Sequence, residues 1–113
     1  MLTLYGLGSC DTCRKARQEI EKTGKNVAFR DVRKEPLTAD ERARFISSFG
    51  DSLVNRRSTT WRGLTEAERE GSPDDLISAH PTLMKRPVID GGGTLTLGWD
   101  AAARSLHLGE GAD

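Results

Sequence analysis

Tyr5-Gly6-Leu7-Gly8-Ser9-Cys10-Asp11-Thr12-Cys13-Arg14 joins a short alternating run, Leu2 to Tyr5, to a helical pattern that begins near Asp11 and extends to about Lys22. Both cysteines of the chain sit at this strand-to-helix junction with the spacing Cys-x-x-Cys. Residues three apart on a first helical turn share a face, so Cys13 can reach the sulfur of Cys10. Cys10 also stands where unpaired backbone N–H groups and the positive end of the helix dipole favour a thiolate over a thiol. A nucleophilic sulfur with a second sulfur in reach is the minimum equipment for thiol–disulfide chemistry.

The spacing admits three plainer readings. Half of a zinc site is one, but there is no second Cys-x-x-Cys, and the remaining soft ligands, His80 and His107, are isolated, so no metal site is expected. A structural disulfide would close so short a loop that little chain entropy is gained. Two ordinary buried cysteines are the third. The position of the pair, after a strand and opening a helix, favours a redox-active pair. Gly6 and Gly8 do not form a dinucleotide fingerprint, because Asp11 stands near the place of its third glycine.

At 113 residues the chain is long enough for one domain with its own core. Seventeen basic residues balance seventeen acidic ones, so global charge gives no argument for binding nucleic acid or an anionic membrane. No stretch reads as an export signal or a membrane span, and the cytoplasm is the expected compartment. In that compartment a Cys-x-x-Cys is more often catalytic or redox-sensing than structural.

Outward from the junction, Thr12 to Lys22 carries a thin apolar stripe of Cys13, Ala16 and Ile20 and stops at Gly24. Arg14, Lys15 and Arg17 crowd the positive end of its dipole. They read either as a solvated basic face, with Arg17–Glu21 a weak pair, or as added positive potential near Cys10. Asn26 to Val32 is a second strand, and the intervening helix makes the two strands parallel with a right-handed crossover. Thr38 caps the next helix with Glu41 at the capping-box position, Phe45, Ile46 and Phe49 form its apolar face, and Gly50 closes it. Residues 51–71 read as less regular and hold Arg56, Arg57 and Arg62 around Trp61, which is either one anchor in a solvated loop or part of a basic site. Ser72-Pro73-Asp74-Asp75 starts a helix that stops at His80-Pro81.

Lys85-Arg86-Pro87-Val88-Ile89 leads into a third strand, and Gly91-Gly92-Gly93 turns the chain into a fourth, Thr94 to Leu97, antiparallel to it. Asp100 to His107 forms a last helix through Ala101 to Ala103 and Leu106, and 109–113 reads as a loose tail. The order β-α-β-α-α-β-β-α predicts an α/β, thioredoxin-like fold. It is a mixed four-stranded sheet flanked by helices, in a single domain over 1–108 with a helical insertion at about 36–84 before the third strand.

Four stretches in order carry a family resemblance: Leu4-Tyr5-Gly6, Ser9-Cys10-Asp11-Thr12, Arg57-Ser58-Thr59-Thr60-Trp61-Arg62-Gly63-Leu64 and Lys85-Arg86-Pro87-Val88-Ile89. They resemble the signatures of the arsenate-reductase-like (ArsC/Spx) family, and the Arg-x-Thr-Thr-Trp-Arg-x-Leu stretch is similar to its YffB group. The resemblance implies that Cys10 is the nucleophile, that Arg57 and Arg86 bind an oxyanion, and that Pro87 is the cis proline closing the site. Guanidinium forks suit oxyanions and carboxylates, and they lower the pKa of a nearby thiol. Two departures have consequences. The third arginine of arsenate reductases is replaced by Leu97-Gly98-Trp99, and the second cysteine is typical of Spx-type regulators that bind RNA polymerase. The resemblance therefore implies a glutathione- or thiol-dependent oxidoreductase in which Cys10 attacks and Cys13 resolves, with glutathione as co-substrate and no bound cofactor. Its alternatives are a redox-sensing regulator and a genuine arsenate reductase.

Overall fold

The computed structural model describes residues 2–108, and the tail expected at 109–113 lies outside them. The described chain gathers into two compact units, one formed by the chain up to Asp31 and from Arg86 onward, the other by Val32–Lys85.

The first unit holds the sheet. Strand β1 (Leu2–Gly6) leads through a four-residue loop into helix α1 (Asp11–Glu21), which returns the chain to strand β2 (Val27–Asp31). β1 and β2 are parallel, in register from Leu2↔Val27 to Gly6↔Asp31, as a helical crossover requires. β3 (Val88–Asp90) runs antiparallel beside β1, with Leu4 opposite Ile89, and β4 (Leu95–Leu97) is antiparallel to β3. The order β2-β1-β3-β4 with these directions is a thioredoxin-like sheet. One face of α1 packs on it: Cys13, Ala16 and Ile20 are fully buried with Leu2, Leu4 and Ile89. Each buried aliphatic chain contributes about 1.5–3 kcal/mol of transfer free energy. α1 closes on Lys22, and Gly24, at φ +90°, then turns the chain toward β2.

The last helix, α6 (Ala101–Leu108), departs from expectation. Asp100 Oδ1 accepts the Ala103 N–H (2.9 Å), and Ala103 is buried, but Leu106 is 59% exposed while His107 is buried. The imidazole is accommodated because Nε2 shares a 2.7 Å hydrogen bond with Thr96 Oγ1, so that ring nitrogen is satisfied inside the fold.

The second unit contains the helices between β2 and β3. In α2 (Ala39–Phe49) both halves of the capping box form, Thr38 Oγ1 accepting the Glu41 N–H and Glu41 Oε1 accepting the Thr38 N–H. Phe45 is buried, and Ile46 and Phe49 are only half-buried. Residues 51–71, expected to be less regular, hold only short helical elements. A 3-10 turn (Gly50–Leu53) is followed by two short helices, α3 (Thr59–Arg62) and α4 (Glu66–Arg69). Ser58 caps α3, and Thr65 with Glu68 builds a second reciprocal capping box on α4. α5 (Pro73–Ala79) starts on the Ser72 cap and is tied to α2 by an Arg42–Asp74 ion pair at 2.8 Å. Residues 54 and 84 form an isolated antiparallel bridge, and Leu53, Leu76, Ile77, Leu83 and Met84 are buried with Phe45.

Candidate active site

Backbone geometry at the end of β1 places both cysteines. The loop is closed by Cys10 N–H donating to the Leu7 carbonyl (3.1 Å) and is tied to β2 by Gly8 N–H donating to Asp31 Oδ2 (3.1 Å). Cys10 is the N-cap of α1, with extended backbone (φ −85°, ψ 118°), and its carbonyl accepts the Arg14 N–H (3.1 Å). Its side chain makes no capping bond, which leaves the sulfur available at the positive end of the helix. One turn on, Cys13 is fully buried against β1. A Cβ added at Gly6 would collide with Cys13 Sγ and stand 3.3 Å from Cys13 Cβ, so only glycine lets the helix carry a sulfur this close to the strand. Both cysteines are free thiols.

The two sulfurs are chemically unequal. Partial burial opposes ionisation of Cys10, but it is outweighed by hydrogen bonds from the Cys13 N–H and the Cys13 thiol, together with the hydrogen bond and charge of Arg86; the Cys10 thiol is held below its ordinary value. For Cys13, burial acts first and the adjacent Cys10 sulfur adds to it, pushing the thiol up to about 12, although the Leu7 N–H and the Arg86 charge act the other way. At neutral pH Cys13 therefore keeps its proton and donates it toward Cys10. A thiol held toward the anionic form beside a protonated partner and a guanidinium can attack a disulfide or an oxidised sulfur.

Arg86 reaches this site from the entry to β3, the strand antiparallel to β1. The Arg86–Pro87 peptide is cis, Pro87 is fully buried, and its carbonyl accepts the Gly98 N–H (2.8 Å). Leu97-Gly98-Trp99 is thus engaged in packing, with Trp99 Nε1 donating to Glu19 Oε1 (3.1 Å). Two of the three basic residues of α1 are taken up locally, and the third, Lys15, is exposed. Arg14 pairs with Asp11, and Arg17 pairs with Glu21 at 3.6 Å and lies 5.6 Å over the Phe29 ring. They form the solvated face, and the guanidinium acting on Cys10 belongs to Arg86.

Arg57 lies in the helical unit and is exposed. Its N–H donates to Asn55 Oδ1 (3.0 Å), in a turn closed by Ser58 Oγ on the Asn55 carbonyl (2.8 Å). Trp61 is half-buried, with the guanidinium carbons of Arg56 and Arg69 lying 5.3 and 5.4 Å from its ring centre. The structure thus brings Cys10, Cys13, Arg86 and Pro87 together in one unit and sets Arg57 in the other.

Sequence reasoning did not assign three positioning residues: Gly6 under Cys13, Asp31 on the Gly8 loop, and Asn55 behind Arg57. Only Asn55 carries a local signal, an Asx turn before a serine cap. No group of three His, Cys, Asp or Glu able to hold a metal occurs among the described residues, and no described helix is long and apolar enough to cross a membrane.

Residues 5–104 match the ArsC family model. The Global transcriptional regulator Spx of Bacillus subtilis is 34% identical over 95 residues, which cover 79% of this chain and 72% of Spx. A solved YffB protein superposes with a TM-score of 0.85 at 28% identity, covering 96% of this chain and all of that one. A solved arsenate reductase (ArsC) related protein from Brucella melitensis is 36% identical with a TM-score of 0.72, covering 94% and 92%.

Proposed function

The chain belongs to the ArsC family, and from that premise we propose that it is a thiol-dependent oxidoreductase with Cys10 as nucleophile and glutathione as co-substrate. The observation that carries the reading is the unequal pair, Cys10 held toward thiolate by Cys13 and Arg86 while Cys13 stays protonated. The Cys10 thiolate attacks one sulfur of a substrate disulfide, forming a mixed disulfide and expelling the other sulfur as a thiolate that takes a proton from solvent. Cys13, once it has lost its proton, attacks Cys10 Sγ, releases the second substrate thiolate and leaves a Cys10–Cys13 disulfide. Two glutathione molecules reduce this disulfide and leave as glutathione disulfide. In the mixed disulfide the Cys10 charge is gone but the burial that first raises the Cys13 thiol persists, so Cys13 attacks slowly and glutathione competes with it to resolve the adduct. Arg86 holds an anionic group of the substrate beside the thiolate, and Pro87 fixes the backbone that presents it. Arg57 is assigned to anion binding by its match to a family arginine.

Reduction of a small mixed disulfide by glutathione tests this reading. Turnover that is lost in Cys10→Ser and persists at a reduced rate in Cys13→Ser supports it. No turnover, or turnover unchanged in Cys10→Ser, overturns it. The 34% identity to Spx supports a second reading, a redox-sensing regulator that binds RNA polymerase. Capture of RNA polymerase in only one redox state, without glutathione turnover, would favour it. Arsenate reduction lacks its third arginine at Leu97-Gly98-Trp99.

A further inference from the structure

At the end of the sheet away from Cys10, where β1 begins and β3 ends, a cleft of about 350 Å³ is lined by Leu2, Lys25, Asn26, Gly91, Leu106 and His107. None of these residues serves the thiol chemistry. We propose that this cleft is a second ligand site, taking a small carboxylate with a short aliphatic tail.

Three features point to that chemistry. The first is a fixed cation. Lys25 Nζ donates to the His107 carbonyl at 2.6 Å, so a lysine stem that would otherwise move freely in solvent is anchored at the rim with donors to spare. Beside it the Asn26 side-chain amide has no hydrogen-bond partner among the described residues. The second is the imidazole. His107 is 3% exposed and spends Nε2 on Thr96, leaving Nδ1 at the floor of the cleft without a partner among the described residues. Gly91 keeps that floor open, since a Cβ there would stand 3.0 Å from both Nδ1 and Cε1 of the ring. The third is apolar: Leu106, at 59% the one large hydrophobic side chain exposed among the described residues, flanks the cleft with Leu2. A cation, an amide and an imidazole edge on one side and two leucines on the other match an amphipathic anion. The volume is at the small end of ligand sites, which suits a short acid rather than a nucleotide.

The local charges agree. Burial first, then the Lys25 charge, hold His107 below its ordinary value, so the ring is neutral at pH 7 and the positive charge at the cleft is that of Lys25. Asp90 also acts on His107, but its Oδ1 accepts the Gly93 N–H at 3.0 Å. The bound carboxylate takes its charge-assisted bond from Lys25 and a second from Asn26.

Amide NMR of the full chain titrated with sodium butyrate, against sodium chloride at matched ionic strength, tests the site. Saturable shifts at Lys25, Asn26, Gly91, Leu106 and His107, with Cys10 and Arg86 unmoved, are expected. Lys25→Gln should weaken binding about tenfold, the loss of one charged hydrogen bond, while keeping a native spectrum. Gly91→Ala should abolish it by filling the floor. Shifts that do not saturate, that are unchanged in Lys25→Gln, or that butylamine reproduces equally would overturn the proposal. Thiol turnover does not enter this readout, so the two sites fail or stand separately.

Discussion

Gly6→Ala probes the packing that makes the cysteine pair. The added methyl would overlap Cys13 Sγ, with Cys13 Cβ at 3.3 Å and Leu4 Cδ2 at 3.4 Å closing the other directions. Cys13 is fully buried, so its sulfur cannot swing into solvent, and α1 must move off β1. Overpacking of this kind costs about 1–3 kcal/mol, and in domains of nearly this size each kcal/mol lowers Tm by about 4–8 °C. Cys13→Ala in the same background removes the colliding atom and lets one methyl occupy space the sulfur had filled. Thermal and urea unfolding of Gly6→Ala, Cys13→Ala and the double variant form a cycle. The double variant should be more stable than the sum of the singles implies, by at least about 0.5 kcal/mol. Additive losses, or a Gly6→Ala protein with unchanged Tm, would refute the close approach of Cys13 to the strand.

Arg86→Ala should raise the Cys10 pKa and slow its alkylation at neutral pH, and Arg86→Lys should restore the rate only in part, because a point charge cannot reproduce a planar fork; equal rates in all three proteins would exclude Arg86 as the activating group. Arg57→Ala should weaken glutathione binding by about 1–3 kcal/mol in calorimetry, the range for a charged hydrogen bond, and an unchanged affinity would leave Arg57 a solvated residue. His107 has a folded pKa below the ordinary 6.5, through burial and then the Lys25 charge, so the fold favours its neutral form. That stability is complete above about 6.5, the unfolded value, and is lost as pH falls through the folded one. Lys25→Met should flatten this acid limb in part by removing the second of those causes, and urea midpoints flat between neutral and mildly acidic pH in the parent protein would contradict it.

The strand-to-helix junction was legible because its signals are local: an alternating run, two glycines, two cysteines three apart and a helical stripe of Cys13, Ala16 and Ile20. A helix between Tyr5 and Val27 also dictated that β1 and β2 be parallel. The short helices α3 and α4 were missed although Thr65 and Glu68 use the same capping grammar as Thr38 and Glu41. At four residues each, they are too short for a hydrophobic period to appear. Exchange of Leu106 for His107 on the buried face of α6 was hidden because the partner that makes the histidine buriable, Thr96, is on another strand. Gly6 read as a loop glycine, since the sulfur that forbids its Cβ comes from seven residues along the chain and a helix turn away in space. Arg14 and Arg17 read as a possible field on Cys10, and their own neighbours Asp11, Glu21 and Phe29 take them up.

The most direct measurement is the site and order of reaction with glutathione disulfide. Reduced protein is mixed with it at neutral pH, quenched with acid at intervals and mapped by peptide mass spectrometry. An unequal pair predicts a single glutathione on Cys10 at the earliest times, one glutathione released for each adduct, and a Cys10–Cys13 disulfide only later. First modification at Cys13, or no adduct at Cys10 under these conditions, would contradict it.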